Sequence, residues 1–450
     1  MKSPAESNGA TAARFIAAAA TRQFDPEVLD AAKMCLVDWC GVALGAYHEP
    51  AAESVRDMAR AWGGSGAAPI LLRGTTTPAL SALVNGTMAH CLDFDDTHVG
   101  SLAHLSGPTW AVALALGAHE GLSGAECLTS FITGFEVGGR LGNEGFGQAL
   151  TERGFHSTGV IGKLAATATA CAALGLDEGQ ILSALGLAAT QASGLTGSFG
   201  TMSKPFHAGK SAMDGVLSAQ LAAHGFQAAE GLLDGGDGSL ANTMVQDGSV
   251  GFAPLELSAG QELLRNTFKP YASCLLTHPA IDAARQLAPD INGGGVERLV
   301  LEIHPLASQV AGKPSPATSL EGKFSLAYCV ALGLRGYHAT AEDFSAGRLA
   351  DPAIAALVSR LELRPAPDMD KRAAVLDVRL EDGRELHAAV PLALGNPGNP
   401  MNWNAMEGKF MALAEPQLAA RARNLLEVLR RFEEPGALAE VLALVRGPSA

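Results

Sequence analysis

The segment Asn85 to Ser106, NGTMAHCLDFDDTHVGSLAHLS, gathers three histidines (His90, His98, His104) and three aspartates (Asp93, Asp95, Asp96) in a chain whose charged residues make up only 17%. It runs off an apolar, helix-like stretch into a Gly/Ser loop. Imidazoles take and return protons near neutral pH, and carboxylates can orient them. Three further segments set basic groups among Gly and Pro: Gly154-Phe155-His156-Ser157, Ser203-Lys204-Pro205-Phe206-His207, and Phe268-Lys269-Pro270-Tyr271, the last shortly before His278-Pro279. Lys, His and Tyr at the starts of helices combine positive charge, donors and the helix-end field. These are the tools for holding two or three carboxylates and for stabilising negative charge on a carbon beside one.

Each group also has a plainer reading. Asp95 and Asp96 could cap helices or pair with arginines, and His156 and His207 could be ordinary polar groups at helix starts. The crowd at Asn85–Ser106 is harder to explain that way, because capping needs no histidines. His48, His119, His224, His304, His338 and His387 have no such company and read as structural or surface residues. A metal centre is the rival chemistry, since His90, Asp93, Asp95, Asp96, His98 and His104 are all competent ligands. Their spacing matches no strict zinc or calcium pattern, and the neighbouring lysines suit an organic anion, so no metal and no cofactor are expected. GRLGNEG (Gly139–Gly145) follows a helix rather than a strand and is not a dinucleotide fingerprint.

These groups must be positioned by a large body. A chain of 450 residues with 48% hydrophobic residues is long enough for two domains and a sizeable core. The net charge of −14 argues against nucleic acid or an anionic membrane surface as a partner. Seven cysteines stand singly, without a C-x-x-C pair, which fits a reducing compartment. The polar start lacks a signal-peptide pattern, and no apolar run is expected to reach the ~18 residues that span a bilayer. A cytoplasmic enzyme is the expectation.

Periodicity predicts helices almost throughout the first half: Pro26–Gly45, Ala51–Trp62, Pro78–Cys91, Pro108–His119, Ala125–Leu141, Thr158–Ala173, Glu178–Thr190 and Gly209–His224, with one short strand at Pro69–Arg73. Leu232–Gly251 reads as a glycine-rich connector. Beyond it, Val296–His304 and Ala374–Glu381 alternate as strands, and Arg384–Pro391 should pair with the second across Asp382-Gly383. Helices are expected at Leu320–Leu334 and Pro352–Leu361, a linker at Gly395–Pro400, and helices again from Ala405 to Val445. The expected fold is mainly α. A large helical domain is made from both chain ends (1–265 and 395–450), and a smaller α+β domain (266–394) lies between.

The motifs NGTMAHCLDFDDTH, TMSKPFHAGKSA, FKPYASCLLTHPAIDAA and SLEGKFSLAYCVALGL, in this order, resemble the hallmarks of the MmgE/PrpD family, whose members include 2-methylcitrate dehydratase, cis-aconitate decarboxylase and iminodisuccinate epimerase. The resemblance implies that the smaller domain is a lid, that the protein is a homodimer, and that catalysis is metal-free in a cleft between the domains. Carried over, it implies catalytic roles for His104, His156, Lys204 and Tyr328, and substrate contacts for Asp93, Thr97 and Lys269, with Asp93 also orienting a histidine. It departs from the family at His104-Leu105-Ser106, where relatives commonly have His-Pro-Ser. The expected activity is a cofactor-independent lyase acting on a small di- or tricarboxylate, with dehydration of a 2-methylcitrate-like compound placed first. Epimerisation of an iminodisuccinate-like compound and decarboxylation of cis-aconitate are the alternatives on the same residues, and a metal-dependent hydrolase stands behind them.

Overall fold

The computed structural model describes residues 7–247, 250–291 and 294–447. Parts of the sequence expectations, namely both chain ends, residues 248–249 of the glycine-rich connector and residues 292–293 of the α+β domain, lie outside the described residues. The chain is mainly helical with a small amount of sheet, and it divides into two compact units: one formed by 1–267 with 402–450, the other by 268–401.

In the helical unit the expected helices form where their caps allow. Pro26–Gly45 starts with Asp25 in extended conformation and proline at its first turn. Gly124–Gly142 and Glu178–Ala189 are closed at their starts by capping boxes, Ser123 with Glu126 and Asp177 with Gln180. The expected strand is the short β1 (Ala68–Ile70), paired antiparallel with β2 (Gly74–Thr76). Tryptophan and phenylalanine fill the centre: Trp110 stacks on Phe131 at 4.2 Å, and both are fully buried.

Three helices carry the site: Pro78–Cys91, Ser157–Leu174 and Ser203–Ala223. Ser203–Ala223 packs against each of the other two through small residues. A Cβ at Gly209 would lie 2.1 Å from Thr87 Oγ1 and 2.2 Å from the Leu83 carbonyl, so only glycine allows this close crossing. The helix expected to begin at Gly209 begins instead at Ser203. Pro205 does not block it, because the N–H groups of a first helical turn have no partner within the helix. Lys204 and His207 therefore ride on the helix rather than on a loop before it. A second correction concerns apolar length. Among the described residues one helix, Ser157–Leu174, has 18 residues at a mean hydropathy of 1.2, and 83% of that window is buried inside the fold. Its alanine and threonine faces pack against neighbouring helices on all sides, which is how a core helix comes to look like a spanning one.

Glu136 shows what this core costs a carboxylate. Its oxygens accept the N–H groups of Leu263 at 2.8 Å and Glu262 at 3.1 Å, yet burial pushes its pKa up to about 7. The ordinary carboxyl of an unfolded chain titrates near ~4.3. The folded state thus holds this proton more tightly. The stabilisation is full below that unfolded value and is lost as pH rises through about 7. Between pH 6 and pH 8 Glu136 should remove about 1 kcal/mol of stability. Denaturant titrations at both values should show a smaller pH 6-to-8 loss for Glu136→Gln than for the wild type. Equal losses would refute this assignment.

The second unit is a four-stranded sheet in the order β4-β3-β5-β6, formed by β3 (Val296–Ile303), β4 (Leu361–Pro365), β5 (Ala374–Leu380) and β6 (Glu385–Val390). The expected β5–β6 hairpin turns at Gly383, whose φ is +88°. The helix His278–Ile291 covers β5 and β6 on one side. Two details differ from expectation. The helix expected to reach Leu361 stops at Val358, and Leu361–Pro365 instead joins β3 in parallel as an edge strand, the place where a terminal proline is tolerated. The helix expected over Leu320–Leu334 is two, Ser319–Lys323 and Leu326–Leu334, because the Ser325 hydroxyl accepts the Tyr328 N–H and starts a new helix.

Candidate active site

The opening segment makes a tight reversal at the end of helix Pro78–Cys91. Asp93 takes a left-handed φ of +52°, which aspartate tolerates better than most residues. The chain then pairs briefly with Thr267 through Thr97, closes the loop with a His98–Ala103 bridge, and enters the helix Ser106–Glu120. Leu105 has φ −74°, within the range a proline ring would fix.

Asp95 is the hub. It is buried, and its carboxylate meets His90 Nδ1 at 2.9 Å and His104 Nδ1 at 3.1 Å. Burial alone would raise its pKa, but the charge and hydrogen bonds of His104 and His90 outweigh that and hold it well below the usual carboxylate range. Thr97 Oγ1 lies 3.4 Å from the same His104 nitrogen, and the His104 N–H donates to Thr158 Oγ1 at 3.0 Å. Asp93, expected to orient a histidine, does something else. Its Oδ1 pairs with Lys204 Nζ at 2.9 Å and stands 3.9 Å from His104 Nε2. The geometry gives Asp95 the orienting position, because it contacts Nδ1 of both rings directly.

Two more histidines complete the cluster. His156 stands just before helix Ser157–Leu174 without a side-chain capping bond; its ring lies parallel to His90 at 5.9 Å and its Nδ1 meets His207 Nδ1 at 3.0 Å. Burial pushes His90 down to about 4, with His104 and Lys204 adding to the shift and Asp95 opposing it. Burial also holds His156 well below its ordinary value, and the nearby His90, Lys204 and His104 add to that. These rings are therefore neutral at physiological pH. His90 Nε2 is buried with no hydrogen-bond partner among the described residues.

A layer behind the cluster holds the turn. Asp38 Oδ2 accepts the Asp96 N–H at 3.0 Å, and its Oδ1 accepts from Lys409 at 2.5 Å. Lys409 also donates to the Phe94 carbonyl at 2.6 Å and sits over the Phe94 ring. The Asp96 carboxylate takes hydrogen bonds from Ser106 and Asn266, and burial followed by repulsion from Asp38 pushes it up to about 7. His98 bonds Ser101 and Glu262 and shapes the loop.

Of the residues singled out from sequence, Asp93, Thr97, His104, His156 and Lys204 come together in the helical unit. Lys269 and Tyr328 belong to the second unit. Both are buried, and the Tyr328 hydroxyl donates to the Asp343 carbonyl at 2.7 Å. Sequence reasoning undervalued Asp95 and His207 and missed Asp38 and Lys409. The last two are far from the motif in sequence, so no local pattern marks them.

The atoms of His90, Asp93, Asp95 and His104 that could bind a metal all lie within 4.8 Å of one another. The two carboxylates of that set already have partners, while His90 Nε2 has none among the described residues. Asp95 is shared by two imidazoles, and the Lys204 ammonium on Asp93 occupies the position from which a cation would be repelled. The arrangement suits proton transfer beside a bound carboxylate.

The chain is similar to cis-aconitate decarboxylases of Mus musculus (28% identical, covering 83% of this chain and 79% of that one) and Homo sapiens (28%, covering 83% and 80%). It is also similar to that of Aspergillus terreus, at 26% identity over 88% of this chain and 86% of the relative. The MmgE/PrpD N-terminal domain profile matches residues 10–252 and the C-terminal domain profile residues 271–434. With both profiles matched in order along the chain, the protein belongs to the MmgE/PrpD family.

Proposed function

We propose that this protein is a lyase that needs no cofactor and moves a proton beside a carboxylate of a small di- or tricarboxylate. We place decarboxylation of a cis-aconitate-like unsaturated tricarboxylate first. The observation that carries the reading is the Asp95 grip on His90 and His104 beside the Lys204–Asp93 pair. The sequence alone ranks dehydration first. The names of the relatives move decarboxylation ahead, and dehydration of a 2-methylcitrate-like compound becomes the second reading.

In the first reaction the carboxylate of the carboxymethyl arm leaves as carbon dioxide, and the CH2 of that arm stays in the product. The electron pair of the broken C–C bond becomes a new C=C bond, the existing C=C bond shifts, and the far carbon takes a proton. Lys204 neutralises a substrate carboxylate and the developing charge. His104, held by Asp95, and His156 supply or remove protons. Lys269 and Tyr328, on the proposed lid, would add a further carboxylate contact and a proton donor. A homodimer is part of the same proposal and would be read from the mass in solution.

The test is a panel of di- and tricarboxylates followed for carbon dioxide release, alkene formation and deuterium exchange, with and without a chelator. Carbon dioxide release from cis-aconitate supports the first reading, and alkene formation from a hydroxy acid the second. Exchange without net consumption would make the protein an epimerase, and loss of activity on chelation would revive the metal reading. Lys204→Ala and His104→Ala should each lower turnover by at least about 10²-fold while the protein stays folded. Undiminished turnover in both would sink the site assignment.

A further inference from the structure

His156 poses a chemical problem. Its ring is buried among His90, Lys204 and His104, which disfavour its charged form. A neutral imidazole that gives up its Nε2 proton becomes an anion, and one that accepts a proton becomes a cation. Neither suits this environment. The Nδ1···Nδ1 contact of 3.0 Å to His207 offers a third course, because such a contact holds one proton between two rings. His207 is half-buried on helix Ser203–Ala223, so its far side reaches towards solvent while its Nδ1 side faces the cluster. The backbone is shaped for the pair. The His156 N–H donates to the Gly194 carbonyl at 3.0 Å, and Gly194, at φ +127°, leaves room where a Cβ would lie 3.2 Å from His207 Nδ1.

We propose that His207 is the proton-relay partner of His156, letting His156 move protons without ever carrying charge. This rests on the proton-transfer reading above. When His156 gives its Nε2 proton to the substrate carbon, His156 Nδ1 takes the Nδ1 proton of His207, and His207 Nε2 takes one from water, which is left as hydroxide. Both rings end neutral in the opposite tautomer, and one solvent proton has in effect reached carbon. After product leaves, water protonates His156 Nε2, the Nδ1 proton passes back from His156 to His207, and water takes the Nε2 proton of His207. This restores the first tautomers with no net change. Run in reverse, the same path removes a proton from substrate. The titratable and charged groups facing His207 are His156 and Lys163 on helix Ser157–Leu174, His90 on helix Pro78–Cys91, and Lys204 on its own helix. Burial first, and then His90, Lys163 and Lys204, hold His207 below its ordinary value and disfavour a charged ring.

The test separates relay from structure. His207→Asn keeps a polar group near the Nδ1 position but cannot pass a proton. It should lose about 10²-fold in kcat with KM little changed. His207→Ala should lose as much and regain turnover as free imidazole is added. Asn retaining wild-type kcat, or Ala not restored by imidazole, would overturn the relay. Nitrogen-15 spectra of the resting protein at neutral pH test the pair whichever carboxylate the enzyme takes. Two neutral rings in complementary tautomers are expected, and the Nε2–H tautomer in both would refute the shared proton. A wild-type protein inactive on the whole panel would overturn the substrate reading instead, and the spectra would still decide the pair.

Discussion

Asp95→Asn is expected to lower kcat about 10³-fold with KM little changed and the fold intact. The two residues have nearly the same volume, so packing is not the cause. One carboxylate oxygen, Oδ2, accepts from Nδ1 of both His90 and His104, at 2.9 and 3.1 Å, and His90 Nδ1 also lies 3.0 Å from Oδ1. An asparagine has one accepting oxygen and one donating nitrogen. With its amide at the Oδ1 position it sets a donor against His90 Nδ1, and with its amide at Oδ2 it sets a donor against both rings. A ring that faces the amide must turn its Nδ1 into an acceptor and carry its proton on Nε2. Burial leaves no water to repair the mismatch. The stabilising negative charge is lost with it, and His104 would then have to work without the partner that favours its protonated form during transfer. Steady-state kinetics beside a near-ultraviolet spectrum decide the matter. A variant within threefold of wild type would show that Asp95 is only a structural residue.

Lys409→Met should reduce stability by roughly 3–5 kcal/mol, the cost of leaving a buried carboxylate without its counter-charge. Lys409 comes from the helix Trp403–Leu418 and is buried against Asp38 and the Phe94 carbonyl. Burial lowers the pKa of the ammonium and raises that of Asp38, while their mutual attraction opposes both shifts. Methionine preserves the helix and much of the volume. What it removes is the charge and two hydrogen bonds that pin residues 94–96, so Asp93 and Asp95 lose their fixed positions and turnover should fall as well. The double variant Asp38→Leu/Lys409→Met removes the stranded charge and should recover more than half of the lost stability. It should not recover turnover, because the Asp96 N–H and the Phe94 carbonyl remain without their partners. Denaturant melts of the single and double variants measure the coupling. A single variant as stable as wild type would mean that the pair contributes only through its desolvation cost.

Much of this was legible in the residues alone. The helical texture of the first half, the alternating strands of the second and the hairpin at Asp382-Gly383 follow from periodicity and turn chemistry, which act over a few residues. The crowd at Asn85–Ser106, with His156 and Lys204, was recognisable because several proton-active groups in an apolar chain need an explanation. Local pattern could not rank them. Asp93 and Asp95 are two positions apart and chemically identical. The left-handed turn at Asp93 sends one towards Lys204 and the other between two imidazoles. Likewise His207 looked like an ordinary histidine near a helix start until the helix proved to begin at Ser203 and its crossing at Gly209 set the ring against His156. The parallel edge strand Leu361–Pro365 carries too short a pattern to be told from the end of a helix, and only its pairing with β3 defines it. Asp38 and Lys409 are brought to the turn by helices from opposite ends of the chain. The sequence by itself determined which chemistry was available. Tertiary packing decided which nitrogen faces which oxygen, because burial and distances of about 3 Å, neither encoded locally, fix tautomer and charge.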